Sequence, residues 1–288
     1  MRVGGGAVAE GARNTEAVNV VVGGASGIGA AVAAALAGMT PLIVADRDLD
    51  RAREVATGCG PAAIPVECDV TNDAHISSLA ARIGRLSALV VTAGGTNPDA
   101  IGRTVLETNL VGTAKLFRAF EPVVGPGSVG VGLGSLVAHA FSFSDSVLEV
   151  LDDPLRPDLA DRMVALGVDV DDPSEAYNVS KRGIIRLCSR LGAVWGPRGG
   201  RTLSVSPGVI DTPLVRDAPG GLEGLQAAAK AWPLGRIGRA DEVGAVIAFL
   251  CSDQASYVSG CDLLIDGALI GSGLPFMPPR DAPPSRVR

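Results

Sequence analysis

Val18-Asn19-Val20-Val21-Val22-Gly23-Gly24-Ala25-Ser26-Gly27-Ile28-Gly29 is a β-branched apolar run that breaks into a glycine-rich turn and continues, to about Ala37, at helical spacing. Such a run reads as a buried strand feeding a helix. Glycines at 23, 27 and 29 let the backbone approach a pyrophosphate, and the free N–H groups at the start of a helix, here from Ser26 through Ile28, favour an anion. Alone, the pattern is equally a tight turn of any α/β protein. Asp46 adds weight, because it closes the next apolar run, Leu42-Ile43-Val44-Ala45-Asp46, seventeen residues after Gly29. A carboxylate there accepts hydrogen bonds from both adenosine ribose hydroxyls and repels a 2′-phosphate, so NAD is favoured. The adjacent Arg47 guanidinium could pair with that phosphate, which keeps NADP as the lesser alternative.

Outward from this turn, short β-branched runs alternate with longer helical patterns. Val18 to Val22, Pro41 to Ala45, Ala63 to Cys68, Ala88 to Thr92, Ser128 to Ser135, Thr202 to Ser206 and Asp262 to Ile265 are expected strands. Gly27 to Ala37, Leu49 to Ala56, Asp73 to Ile83, Ile101 to Phe120, Glu175 to Val194 and Ala240 to Leu250 are expected helices. Strand then helix, repeated, predicts right-handed crossovers and an α/β fold: a doubly wound parallel sheet of seven strands with helices on both faces, the Rossmann arrangement. Ligands bind such sheets outside the carboxyl ends of the strands. Asp69 and Val70, after the third strand, are placed to meet an adenine, and Ala93 and Gly94, after the fourth, allow close backbone contact.

Composition fits this fold. Of 288 residues 47% are hydrophobic, 38 are Gly and only 3% are aromatic, as closely packed Ala- and Gly-rich helices on a parallel sheet require. The organisation expected is a flexible 1–16 segment, one domain over 17–274 and a flexible Pro-rich tail over 275–288. No leader or membrane-length apolar segment is read, which predicts a cytoplasmic protein without membrane contact. A net charge of −6 argues against nucleic acid. Five cysteines without paired spacing read as reduced thiols, with no metal site expected.

Tyr177-Asn178-Val179-Ser180-Lys181 places a phenol and an ammonium on one helix face. An isolated Tyr has a pKa of about 10, so the spacing predicts that Lys181 lowers it toward working pH for proton transfer to or from an alcohol. The same spacing is common on solvated helix faces, and only the rest of the chain separates the two readings.

With these residues in hand, the chain resembles the short-chain dehydrogenase/reductases, in the single-domain branch with a Gly-x-x-x-Gly-x-Gly turn, over about residues 17 to 271. Gly23, Gly27 and Gly29 match the glycines, Asp46 the acidic position, Asp69 and Val70 the adenine contact, and Ala93 and Gly94 part of Asn-Asn-Ala-Gly. Asn109 matches the proton-relay asparagine, and Tyr177 and Lys181 the Tyr-x-x-x-Lys pair. Pro207-Gly208-Val209-Ile210-Asp211-Thr212-Pro213 resembles the segment that binds the nicotinamide carboxamide, with Thr212 as its side-chain ligand. Period-two alternation of Val129, Val131 and Leu133 with Gly130, Gly132 and Gly134 puts Ser135 in line with the apolar face at the strand's end. Gly134 stands where the family has the first serine of a Ser-Ser pair, which leaves Ser135 as the catalytic serine in preference to Ser142 or Ser144. Val22 and Thr92 depart from the family's usual Thr and Asn.

From Ser135 to Tyr177 the separation is 42 residues, longer than usual for the family. The insertion, about 140–174, gives a stretch from Asp145 to Glu175 with ten acidic and two basic residues and apolar side chains at helical intervals, which predicts one or two amphipathic helices beside the site. Bacterial 3α-hydroxysteroid dehydrogenase/carbonyl reductase relatives carry a similar insertion, and the resemblance implies a homodimer or homotetramer. The function expected is interconversion of a secondary alcohol and a ketone on a small but bulky hydrophobic substrate, steroid-, terpenoid- or polyketide-like. Ser135, Tyr177, Lys181 and Asn109 are its expected catalytic set. A catalytically silent dinucleotide sensor or scaffold of the same fold is the alternative. His139 is read as a surface-loop residue in preference to a substrate contact, and His75 as structural.

Overall fold

A computed structural model describes residues 16–95, 99–216 and 221–274. The readings of 1–16 and 275–288 as flexible ends fall, Glu16 excepted, outside the described residues. Strand β1 (Ala17–Val22) leads into α1 (Gly27–Leu36), β2 (Leu42–Asp46), α2 (Leu49–Cys59), β3 (Ala63–Glu67), α3 (Asp73–Ala81) and β4 (Arg85–Val91). There follow α4 (Gly102–Leu106), a π-helical turn (Glu107–Val111), α5 (Gly112–Phe120) and β5 (Val129–Leu133). After β5 come α6 (Val137–Ala140), the insertion helices α7 (Asp145–Leu151) and α8 (Leu159–Ala165), and the long α9 (Pro173–Trp195). The chain closes with β6 (Arg201–Pro207), β7 (Ile210–Asp211), α10 (Pro213–Arg216), α11 (Gly221–Ala229), β8 (Gly238–Arg239), α12 (Ala240–Cys251), β9 (Asp262–Ile265) and α13 (Leu269–Ser272).

Seven strands form one parallel sheet in the order β3-β2-β1-β4-β5-β6-β9. The order turns back between β1 and β4, and the mouth of the sheet lies at the carboxyl ends of those strands. β1 is buried on both faces, with Val20, Val21 and Val22 at 0% exposure, which explains why it reads as continuous apolar sequence rather than alternation. One face carries α3, the α4–α5 span, α7, α8 and α9; the other carries α1, α2 and α12. A separate parallel pair, β7 with β8, was not anticipated; with two residues in each strand it is too short to leave a sequence pattern. No helix among the described residues is long and apolar enough to cross a membrane.

β5 shows why its sequence alternates Val with Gly. Val129 and Val131 pack with α1 and α12, while Gly130 and Gly132 face α5 and α9. A Cβ on Gly130 would stand 2.5 Å from Phe117 Cε1 and 3.0 Å from the Trp195 ring, and one on Gly132 would stand 2.6 Å from Cys188 Sγ. Phe117 and Trp195 stack tilted at 5.7 Å between centroids, so the large rings fill what the glycines leave open.

The insertion forms two short helices, as its pattern predicts; α7 lies against α9 and α8 packs on α7. Ser144 caps α7 by accepting from Val147 N, and Leu151 and Met163 are completely buried. Asp152, just past α7, accepts both arms of the Arg186 guanidinium at 2.6 and 2.7 Å and one nitrogen of Arg190 at 3.3 Å. Hydrogen bonding from Arg186 first, then its charge and that of Arg190, holds the Asp152 carboxyl below its usual range against the opposing effect of burial. The bidentate pair fixes direction as well as distance, and it ties the insertion to the helix that carries Tyr177 and Lys181.

Replacing Gly130 with Ala tests the packing. The gain from stiffening the unfolded chain is about 0.4–1 kcal/mol, but overpacking costs about 1–3 kcal/mol, so the urea midpoint should fall. An unchanged or higher midpoint would show that the aromatic pair yields freely.

Candidate functional site

The glycine turn is held from three sides. Gly23 has φ +84°, and a Cβ there would lie 2.4 Å from Ala93 N; a Cβ on Gly29 would lie 2.0 Å from Gly23 O and 2.6 Å from Thr92 Oγ1. No side chain fits either place. Thr92 Oγ1 donates within reach of both Val22 O (3.0 Å) and Gly23 O (3.1 Å), so this departure from the family's asparagine fastens the turn itself. Val22, the other departure, is completely buried. Gly23 N and Gly24 N donate to Ala45 O, which ties the turn to the end of β2. Ser26 precedes α1 without capping it through its side chain, so the opening turn of α1, including Gly27 and Ile28, has no side-chain acceptor from its own cap. The residues present fit a pyrophosphate here, and with it a nicotinamide dinucleotide.

Asp46, at the end of β2, accepts from Ala25 N through Oδ2 and from Asp48 N through Oδ1, each at 3.1 Å. Its carboxylate therefore borders the glycine turn, while the next residue, Arg47, is exposed. After β3, the Asp69 carboxylate accepts from Thr71 N (2.8 Å) and Thr71 Oγ1 (2.7 Å), and these bonds, with smaller help from Arg47 and His75, hold it below its usual range. His75 Nδ1 accepts from Asp69 N at 3.2 Å, the structural role expected of it. Val70 is buried against Gly112, where a Cβ would approach its side chain to 2.8 Å. On the far side, Gly208 packs so tightly on Asp266 that a Cβ would reach its Cα at 2.7 Å. From there Val209 and Ile210 carry the chain to Thr212, whose methyl stands 3.3 Å from where a Gly27 Cβ would be. Pro207 to Thr212 and the glycine turn thus meet at one mouth.

Tyr177 and Lys181 lie on α9, which Asp172 caps by accepting from Glu175 N at 2.7 Å and Pro173 opens with its preset φ. Gly183 lets α9 press onto the π-helical turn, since a Cβ there would stand 2.6 Å from Leu110. Lys181 is 3% exposed, and its Nζ donates to Leu133 O at 2.8 Å and sits 5.4 Å from the Tyr177 ring centroid. Burial pulls its pKa down to about 8. The Tyr177 phenol moves the other way: burial raises its pKa, and a hydrogen bond with Ser135 opposes the rise. This corrects the expectation that Lys181 lowers the phenol toward working pH. Spacing reports that the two groups are neighbours; it does not report how far each is withdrawn from water, and withdrawal penalises each charged form.

Ser135 also differs from expectation in how it reaches the site. β5 stops at Leu133, two residues short of the expected end, so strand alternation no longer sets the direction of Ser135. Gly134 N donates to Val205 O (2.7 Å) and Leu136 N to Pro207 O (2.9 Å), which holds the serine over the end of β6, near enough to Tyr177 to oppose the rise of its pKa. Ser144 serves as the α7 cap and Ser142 is exposed.

Asn109 lies in the π-helical turn, completely buried. Its Oδ1 accepts from Gly95 N (2.9 Å), its Nδ2 reaches Gly95 O and Ser180 Oγ (both 3.2 Å), and its carbonyl accepts from Thr113 Oγ1 (2.6 Å). A Cβ on Gly94 would strike Asn109 Oδ1, so Ala93-Gly94-Gly95 is shaped around this amide. Both atoms of the Asn109 amide are thus engaged, and Oδ1 keeps one of its two acceptor positions. Sequence reasoning missed Ser180, whose hydroxyl links Asn109 to Tyr177 O at 2.8 Å, and the signal was its place next to Lys181. His139 is not a loose surface residue: its Nε2 meets Asp262 Oδ2 at 2.7 Å. Burial pushes the thiols of Cys68 to about 11 and of Cys188 and Cys251 to about 12, which makes them poor nucleophiles. Among the described residues no three metal-ligating side chains gather. A hollow of about 390 Å³ lined by Leu49, Pro65, His75 and Arg82 lies along the outer edge of β3, away from Tyr177, and has no part in this site.

Comparisons with known proteins agree with this geometry. The family model described as short chain dehydrogenase matches residues 17–131, and the model described as Enoyl-(Acyl carrier protein) reductase matches residues 163–269. Cis-4-hydroxycyclohexanecarboxylate dehydrogenase of Sinomonas cyclohexanicum is 32% identical over 268 residues, covering 88% of this chain and 96% of the relative. D-threitol dehydrogenase of Mycolicibacterium smegmatis is 32% identical over 265 residues, 87% of this chain and 91% of the relative. A crystal structure of a short-chain type dehydrogenase/reductase from Mycobacterium marinum matches with a TM-score of 0.70 at 26% identity, over 88% of this chain and 95% of that one. The chain belongs to the short-chain dehydrogenase/reductase family of NAD(P)-dependent oxidoreductases acting on CH–OH groups.

Proposed function

We propose that the protein interconverts a secondary alcohol and a ketone with NAD(H), and that Tyr177, Ser135 and Lys181 do the proton work. The observation that carries this is the buried Lys181 ammonium 5.4 Å from the ring centroid of a half-buried Tyr177, with the Ser135 hydroxyl near enough to moderate the phenol's pKa. That nearness also favours Ser135 over Ser142 and Ser144. Tyr177 takes the proton from the substrate hydroxyl oxygen in oxidation and returns it in reduction. Ser135 donates to the same oxygen and stabilises the charge that gathers there. Lys181 is near enough to favour the phenolate once its charge is engaged, and its pKa of about 8 lets it pass a proton on near neutral pH. Asn109 fixes the Gly95 backbone and, through Ser180, the turn of α9 just before Lys181.

Gly23, Gly27, Gly29 and the start of α1 would hold the pyrophosphate, Asp46 the adenosine ribose, Asp69 and Val70 the adenine, and Thr212 with Pro207 to Ile210 the carboxamide. When bound, the nicotinamide supplies the hydride donor or acceptor. NAD is preferred over NADP because a 2′-phosphate would meet the Asp46 carboxylate at the rim of the turn. For substrate we favour a bulky hydrophobic alcohol or ketone. Phe141, 47% exposed, follows the Ser135 segment closely, and Leu214, 46% exposed, lies against Gly95, so apolar side chains flank the mouth.

Three measurements test this. Tyr177→Phe should cut turnover by about 10²–10⁴-fold while NADH binding, read by its fluorescence, stays within a factor of two; wild-type turnover would discard the assignment. In alcohol oxidation the base is the phenolate, whose share at neutral pH is small because burial raises the phenol, so kcat/KM should climb with pH through the neutral range. Ser135 opposes that rise, so in Ser135→Ala the residual activity should climb at still higher pH; a shift to lower pH would contradict the hydrogen bond. Finally, the ratio of kcat/KM with NAD to that with NADP should exceed one and fall about tenfold or more in Asp46→Ala, whereas an NADP preference in the unaltered protein would remove Asp46 from its role.

A further inference from the structure

Behind Ser135 lies a polar group of four side chains that the reaction as described does not use. Asp262, on the edge strand β9, is 8% exposed at its side chain and has both oxygens engaged. Oδ1 accepts from Ser204 Oγ at 2.5 Å and Ser206 Oγ at 3.0 Å, both on β6, and Oδ2 meets His139 Nε2 at 2.7 Å. A carboxylate only accepts, so His139 Nε2 carries the proton in this pair. Two buried serines and a partly buried histidine on a withdrawn carboxylate make a directional support rather than a loose surface pair.

The group touches the Ser135 segment at two points. A Cβ on Gly134 would lie 2.4 Å from Ser206 Oγ, so Ser206 fills the space that a side chain at 134 would need. This gives the Gly134-Ser135 sequence its reason: the polar pillar on β6 stands where the first residue of the pair would project. His139 belongs to α6, whose opening turn starts at Ser135. Ala138 N donates to Ser135 O and His139 N to Leu136 O, each at 3.0 Å, and Val137 N approaches Ser135 Oγ at 3.4 Å. Anchoring His139 on β9 therefore fixes the turn that aims the Ser135 hydroxyl at Tyr177.

We infer that His139, held by Asp262, is a positioning residue for the reaction and acts through Ser135. It touches neither the phenol nor the ammonium. Because it works by orientation, its loss should lower kcat more than it alters KM. The inference rests on the reading of Ser135 as the residue that meets the substrate oxygen.

A double-mutant cycle on the intact protein is the test. His139→Ala should reduce kcat about tenfold, with KM and NADH affinity within about twofold, and His139→Gln, whose amide can still donate to Asp262, should recover most of the loss. In a Ser135→Ala background the His139→Ala change should cost less than about twofold, because the group it positions is gone. If His139→Ala does not fold, His139→Gln and Asp262→Leu are run in both backgrounds with the same expectation of coupling. An equal loss in both backgrounds, or no loss in either, would overturn the inference and leave the Ser135 assignment standing. Full turnover in Ser135→Ala alone would overturn that assignment and this inference with it.

Discussion

A lysine ammonium withdrawn from water and held by one backbone carbonyl is the constraint around which the site is built. Lys181 reaches Leu133 O, the last carbonyl of β5, and in doing so it pins α9 to the carboxyl edge of the sheet. Burying that charge is costly, and its lowered pKa records the cost. The surrounding structure sustains it through close approach: Gly183 admits Leu110 against α9, and Gly130 and Gly132 admit Phe117, Trp195 and Cys188 against β5. Small residues at these points set the distance between helix and sheet, and that distance keeps the phenol and the ammonium at one mouth.

The same withdrawal explains why Tyr177 is a resting acid in the free protein. Its phenol is neutral because burial favours neutrality, and Ser135 moderates that preference. Hydrogen-bonded supports extend outward from these groups. Asn109 clamps the loop after β4 and, through Ser180, the turn of α9 below Lys181. Thr92 clamps the glycine turn from the end of β4. Asp152 with Arg186 fastens the insertion to α9 from outside, so the extra helices brace the catalytic helix.

Much of this was legible in the sequence because it rests on local rules. Val18 to Gly29 gives strand, turn and helix by composition alone, and Tyr177 and Lys181 share a face by helical period. What was not legible depends on pairing at long range. His139 and Asp262 are 123 residues apart, and neither belongs to a local pattern. The direction of the Tyr177 shift depends on burial, which no spacing encodes. The period-two argument for Ser135 does not hold to the end of the segment, because β5 ends at Leu133 and backbone bonds to β6, not strand alternation, place the serine. The π-helical turn at Asn109 likewise interrupts what reads as one regular helix from Ile101 to Phe120.

With only two tyrosines in the chain and the other, Tyr257, fully exposed, the central claim is open to direct titration. A Tyr257→Phe variant leaves Tyr177 as the sole phenol, and its ionisation can be followed by tyrosinate absorbance in the free protein. The account requires a midpoint above the ordinary value of about 10, since burial outweighs every favourable contact in this state. A midpoint below that value would contradict it and would show that the lysine charge, not desolvation, governs the phenol.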